Sequence, residues 1–162
     1  WTIGGLWVFI TMAAGLAAMT SAKAVPLSWY ALIGIVLWLE GFIFEVVADH
    51  QKTRFRSKKE NRDKFINEGL WSLSRHPNYY GEITLWLGIA FIAFPVLQGW
   101  QLLTLISPIF VYILLTRISG ITMLERRADK KWGDDPEYQL YKETTSSLIP
   151  IAKKKKIRKK NE

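Results

Sequence analysis

Glu45, Asp49, Lys52 and Arg56 stand four, three and four residues apart. On a helix they fall within about 60° of arc, so one face presents two carboxylates followed by two cations. Such a row is either a set of i,i+4 ion pairs solvating a helix end or one wall of a site for a charged ligand. A second group is compressed between Gly69 and Glu82, where Ser72, Ser74, Arg75, His76, Asn78, Tyr79 and Tyr80 follow closely. Pro77 is placed to open a helix there, Asn78 to cap it, and Gly81 to admit close backbone approach. A helix start gathers free N–H groups and a positive dipole end, which suits phosphate or carboxylate. Arg75 and His76 reinforce that preference, and Tyr79 and Tyr80 add ring faces and hydroxyls. The third group begins at Glu125, placed to orient Arg126 or Arg127, and continues through a Gly133, Asp134, Asp135, Pro136 turn. That turn should start a short helix with Tyr138 and Tyr141 three apart on one side.

These groups need elements to hold them, and the charge distribution says which. The chain has 162 residues, 49% hydrophobic and 22% charged. Outside the segments 49–78 and 125–162 its only charged residues are Lys23, Glu40, Glu45, Glu82 and Arg117. Four apolar stretches remain, 1–22, 26–48, 80–100 and 102–124, each near the roughly 20 residues a helix needs to cross a bilayer. They lack the period-2 alternation of barrel strands, so the expected fold is all-α, a polytopic integral membrane protein with four transmembrane helices. Every lysine and arginine except Lys23 and Arg117 lies in the two charged segments, which the positive-inside rule assigns to the cytosol together with the C-terminal tail. All three groups then meet at the cytosolic membrane surface and can build one cavity between helix ends. Residues 1–150 form the helical domain on this reading, and 151–162 a disordered basic extension near anionic headgroups, whose Lys159-Lys160-Asn161-Glu162 end also has a dilysine form. The start at Trp1, in mid-apolar sequence, reads as an N-terminal truncation rather than a signal peptide.

Several chemistries are not expected. There are no cysteines and only two histidines, His50 and His76, so no metal site is foreseen. No G-x-S-x-G elbow, P-loop or G-x-G-x-x-G is present. The net charge of +8 flanks membrane helices and belongs to no nucleic-acid recognition module. The intramembrane ionisable residues are functional hypotheses in themselves: Glu40 needs its own partner, and Arg117 either snorkels or pairs with Glu40 or Glu82. The cationic and aromatic content of the proposed cavity suits a phosphate-bearing nucleotide; a zwitterionic cofactor is the alternative.

The ordered series from Asp49 to Arg56, then Gly69-Leu70-Trp71, then Ser74 to Glu82, then Trp86 and Gly88, closely resembles the steroid 5-alpha-reductase-like membrane proteins, in particular the branch known as DUF1295. The 133–138 stretch and the Ser147-Leu148-Ile149-Pro150 end extend the match, over about 38–150. The resemblance implies that the C-terminal half holds NADPH at the cytosolic helix ends. It also implies hydride delivery to a carbon–carbon double bond of a lipophilic substrate, in the bacterial inner membrane or the endoplasmic reticulum. Carried over by position, Asp49 and Arg56 match the acid and arginine that bind the adenosine part, Lys64 a basic residue near the phosphates, and Asn78 and Glu82 the pair near the nicotinamide. Lys52, Arg75, His76, Glu125, Arg126, Tyr138 and Tyr141 complete the cofactor candidates. Glu82 and Tyr80 are the candidates for polar contacts to the substrate. Glu45 departs from the pattern, standing where the mammalian-type enzymes have an asparagine, and the acid and tyrosine that polarise the substrate carbonyl in the steroid enzymes lie on earlier helices.

Residues 75–81 and Glu125 also resemble the isoprenylcysteine carboxyl and phospholipid methyltransferases, which implies S-adenosylmethionine as the alternative cofactor. A non-catalytic membrane scaffold is the third reading. The sequence leaves the oligomeric state open.

Overall fold

A computed structural model of the chain describes residues 2–151. The lysine-rich tail and its dilysine end lie outside the described residues. Six α-helices follow in order: α1 (Thr2–Met19), α2 (Trp29–Ser57), α3 (Pro77–Ala93), α4 (Ser107–Ile113), α5 (Ile121–Trp132) and α6 (Pro136–Thr144). Among the described residues four stretches are long and apolar enough to cross a membrane: Thr2–Met19, Trp29–Ser57, Pro77–Val96 and Gly99–Trp132. The all-α, four-span expectation therefore holds. Leucine, isoleucine, valine and phenylalanine side chains along the outer faces, such as Phe9, Val36, Ile43 and Leu103, are largely exposed, as a lipid-facing surface requires.

Two helix boundaries depart from the apolar runs. Helix α2 does not stop at the last apolar residue but continues through Ser57, which puts Asp49, Lys52 and Arg56 on helix beyond the hydrophobic stretch. The last span is not one regular helix. It opens with a 3-10 segment, Gly99–Ile106, passes through α4 into a π-helical turn, Leu114–Ile118, and breaks at Ser119 and Gly120 before α5.

Helices α2 and α3 make the most extensive contact in the fold. Gly34 and Gly41 on one, Gly81 and Gly88 on the other, are each seven residues apart and meet as antiparallel pairs, Gly34 with Gly88 and Gly41 with Gly81. A Cβ added at Gly88 would stand 2.6 Å from the Gly34 carbonyl oxygen, and one at Gly81 2.6 Å from that of Gly41. Lipid is as apolar as a leucine side chain, so helices in a bilayer gain little from burying large residues and associate by close backbone packing. Ala14 of α1 packs with Ala93 and Leu97, closing the opposite end of the bundle.

The polar end is assembled from connections. Trp71 donates its indole N–H to the Ala48 carbonyl at 3.0 Å, and the Leu70 amide donates to the Gln51 side chain at 2.9 Å, docking the 69–72 turn on α2. Gly69 has φ +60°, with the Gln51 amide where a side chain would stand. On the other flank the Arg75 amide donates to the Ser146 carbonyl at 2.8 Å and the Ser74 hydroxyl to that of Leu148 at 2.8 Å. Asp135 caps α6 by accepting the Glu137 amide at 2.8 Å, with Pro136 at the first helical position, as the turn residues led one to expect.

Candidate cofactor site

A cavity of about 610 Å3 lies between the end of α2, the 59–72 connection, the start of α3, α5 and α6. That size is ordinary for a small-molecule or cofactor site. Of the residues singled out from the sequence, it is lined by Lys52, Arg56, Lys64, Arg75, His76, Glu125, Tyr138 and Tyr141. Asp49, Asn78, Tyr80, Glu82 and Arg126 do not line it.

The row on α2 is not a ladder of ion pairs. Among the described residues no salt bridge within 4 Å joins Glu45 or Asp49 to Lys52 or Arg56. Instead Asp49 accepts a hydrogen bond from the Asn78 side chain at 3.1 Å, and the Lys52 ammonium sits 4.7 Å over the Trp71 ring. The cations therefore remain available to the cavity. Asn78 does not cap α3; His76 holds the N-cap position without a side-chain cap, and Asn78 ties α3 to α2.

Glu125 has partners other than the neighbouring arginines expected for it. Its Oε1 accepts from Arg75 Nε at 2.9 Å and Nη2 at 2.7 Å, lies 3.4 Å from His76 Nε2, and accepts from the Ser147 hydroxyl at 3.4 Å. Arg75 Nη1 also donates to the carbonyls of Lys142 and Thr145. The guanidinium that should have reinforced an anion preference at the α3 start is thus already neutralised, and its work is to join three elements. Arg117 pairs with neither Glu40 nor Glu82; Glu40 accepts from the Tyr80 hydroxyl at 2.8 Å.

Aromatic rings make the far wall. Phe65 stacks on Tyr141 with centroids 5.4 Å apart and meets the rings of Tyr138 at 5.4 Å and Trp132 at 6.0 Å edge-on. The Tyr138 hydroxyl donates to Asp129 at 2.9 Å and that of Tyr141 to the Trp71 carbonyl at 2.6 Å. Burial, and for Tyr138 the bond to Asp129, push both phenols above their ordinary pKa. They stay protonated and offer the cavity their ring faces.

Sequence reasoning passed over Arg62, Phe65 and Lys131 and left Arg127 and Trp132 out of the cofactor candidates, yet all five line the cavity. The signal was there in part: Arg62, Lys64 and Phe65 interleave cations and an aromatic within one short connection. Lys131 is committed to Asp63 at 3.1 Å. Lys52, Arg56, Arg62, Lys64 and Arg127 have no carboxylate partner among the described residues.

Tyr80 and Glu82, paired from the sequence as substrate contacts, are not brought together. Tyr80 leans on Phe44 and bonds Glu40 on one flank of the α2–α3 seam. Glu82 lies on the other, within the electrostatic reach of Glu45 and Asp49. Tyr79, which also senses Glu82 and Asp49, stacks on His76 at 5.6 Å and so links this acidic group to the cavity wall.

A family model described as a protein of unknown function, DUF1295, matches residues 1–145. The chain belongs to the DUF1295 family. Relatives of this DUF1295 chain include 3-oxo-5-alpha-steroid 4-dehydrogenase 1 of Rattus norvegicus, 32% identical over 121 residues, 74% of this chain and 41% of the relative. The steroid 5-alpha-reductase DET2 of Arabidopsis thaliana is 28% identical over 125 residues, 76% of this chain and 42% of the relative. The Mus musculus 3-oxo-5-alpha-steroid 4-dehydrogenase 1 is 27% identical over 120 residues, with coverage of 74% and 42%. The DUF1295 chain thus spans about two-fifths of the length of these relatives. No solved structure matches it.

Proposed function

We propose that the chain is the cofactor-holding part of a membrane reductase that uses NADPH to saturate a carbon–carbon double bond in a lipophilic, steroid-like substrate, with its polar end in the cytosol. The observation that carries this reading is the cavity's charge. Five cations without a carboxylate partner, Lys52, Arg56, Arg62, Lys64 and Arg127, stand around it beside an aromatic wall, and its one lining carboxylate, Glu125, is consumed by Arg75 and His76. A ligand with several phosphates and stacking rings fits that donor set, whereas zwitterionic S-adenosylmethionine would leave most of the cations uncompensated. The names of the relatives, steroid 5-alpha-reductases and 3-oxo-5-alpha-steroid 4-dehydrogenases, support the reaction class.

NADPH would supply the hydride. The chain's own residues bind phosphate through the five cations and cover ring faces with Phe65, Trp132, Tyr138 and Tyr141. Asn78 and Glu82 stand beyond His76 and Tyr79, where the resemblance locates the nicotinamide end, and Asp49, which the resemblance assigns to the adenosine part, accepts from Asn78 there. On this reading Tyr80 turns its single O–H from Glu40 to the substrate, and stabilising negative charge on a carbonyl oxygen is the work such a donor does.

Equilibrium binding of NADPH and of S-adenosylmethionine to the detergent-solubilised chain, side by side, tests the reading. Selective NADPH binding is expected. Selective S-adenosylmethionine binding would transfer the chain to membrane methyl transfer, and binding of neither would leave a scaffold. With a reducible enone as substrate, Glu82→Gln and Tyr80→Phe should lower turnover while NADPH still binds; full turnover in either variant removes that residue from the site.

A further inference from the structure

The interruption of the last span creates a second charged site. The π-helical turn Leu114–Ile118 widens the helix, and such turns recur where function demands an unusual side-chain direction. After the break at Ser119 and Gly120, α5 carries Thr122, Arg126 and Lys130 at i, i+4 and i+8, with Met123 and Arg127 on the adjoining stripe. These side chains, with Arg117 and Ile118 from the widened turn, line a groove of about 390 Å3. It shares only Arg127 with the larger cavity.

Four cations line this groove, Arg117, Arg126, Arg127 and Lys130, and no carboxylate does. Among the described residues none of the four has an ion-pair partner. Like charges gathered on one side of a helix repel one another, and a bound anion removes that penalty. The remaining lining is an apolar edge: Ile118 is 53% exposed and Met123 43%. The Thr122 hydroxyl donates to the Arg117 carbonyl at 3.2 Å, holding the two sides of the break together.

We propose that this groove binds the phosphate headgroup of an anionic membrane phospholipid, with the acyl chains lying along Ile118 and Met123. Arg117 lies on the span side of the break at Ser119 and Gly120, and Arg126 lies on α5 beyond it. A free phosphate gains nothing from the exposed apolar edge. A lipid satisfies the phosphate ligands and the apolar edge together. Arg126, expected at the cofactor, is thereby assigned to the lipid, and the assignment stands or falls independently of the reductase reading.

The test is a titration of the detergent-solubilised full chain with dioctanoyl phosphatidic acid, with dioctanoyl phosphatidylcholine and inorganic phosphate as comparisons. Saturable one-to-one binding of phosphatidic acid is expected, at least tenfold tighter than phosphatidylcholine and not displaced by equimolar phosphate. The Arg117→Gln, Lys130→Gln double variant should bind at least tenfold more weakly with an unchanged helical circular dichroism signal. Should that variant lose its helical signal, Lys130→Gln alone, on the exposed face of α5, should still weaken binding several-fold. Neutralising Lys153, Lys154, Lys155 and Lys156 should leave the affinity intact. Equal affinity for phosphatidylcholine, displacement by phosphate, insensitivity to the groove variants, or loss on neutralising the tail would each overturn the proposal, the last by showing general polybasic attraction.

Discussion

Arg56 and Arg75 are nineteen residues apart and do opposite jobs, although both are cavity arginines. Arg75 is held by a carboxylate and two carbonyls, so its removal would loosen the junction of α3, α5 and the 142–147 segment. Arg56 has no carboxylate partner among the described residues and is exposed on helix beyond the apolar run. Arg56→Ala should therefore weaken NADPH binding about tenfold or more while leaving helical content and thermal unfolding unchanged, since a charge-assisted hydrogen bond contributes about 1.5–3 kcal/mol. Equal affinity in parent and variant would remove Arg56 from the site. The two tyrosines give a pH prediction. A phenol whose folded pKa is raised keeps its proton longer in the folded chain, so stability is fully present below the unfolded value of about 10 and falls as pH rises above it. The parent chain should lose stability more steeply than Tyr138→Phe between about pH 10 and 11.5, read from unfolding midpoints at each pH. At this scale the sequence showed much. Spacing placed Lys52 and Arg56 on one face, and the 133–136 turn foretold α6 with both tyrosines. The partners of Glu125 were not legible, because Arg75 and His76 lie about fifty residues away and only the fold brings them together. The separation of Tyr80 from Glu82 was implicit in their spacing, since residues two apart on a helix point about 200° apart.

The elements owe their arrangement to what is absent as much as to what is present. The glycine heptads of α2 and α3 let the backbones touch, and this contact sets where Glu45, Asp49 and Lys52 stand relative to Asn78 and Glu82. Gly41→Leu should separate the helices, because even a Cβ there would overlap the backbone at Gly81 and Leu85. Expected outcomes are a marked fall in the unfolding temperature and loss of NADPH binding together. Gly4→Ala and Gly5→Ala, where nothing lies within 4 Å, are the controls and should be neutral or favourable by up to about 1 kcal/mol each. An unfolding temperature for Gly41→Leu equal to the parent's would refute the close-packed seam. Hydrophobic run length located every span, yet it missed the continuation of α2 through Ser57 and the π-turn in the last span. The first extension carries the charged row Asp49, Lys52 and Arg56 past the apolar run, where hydropathy no longer marks the helix. The second did not interrupt the apolar run: Thr116, Arg117, Ser119 and Gly120 fall inside it, and Gly120 is required because a Cβ there would run into the Leu115 backbone.

At the scale of the molecule, four spans with α2 and α3 antiparallel place the end of α2, the 59–76 connection and α5–α6 on one side, and the 20–28 and 97–100 connections on the other. From the charge asymmetry and the positive-inside rule we propose that the first side is the cytosolic one. The exposed Trp100 ring, 87% accessible, and Lys23 then mark the opposite interface, where an amphipathic aromatic and a lone lysine are easily accommodated. The absence of cysteine makes this orientation directly measurable. Lys23→Cys and Lys58→Cys both replace exposed lysines in connections, so neither should disturb the helices. In sealed right-side-out membranes a membrane-impermeant maleimide should label Lys23→Cys and spare Lys58→Cys until the bilayer is permeabilised. The reverse pattern would put the cavity on the outer side, away from the cytosolic pool of reduced nicotinamide nucleotide, and would count against the reductase reading as well as the topology. Labelling of both without permeabilisation would contradict the crossing of the membrane by α2, because that single span separates 23 from 58.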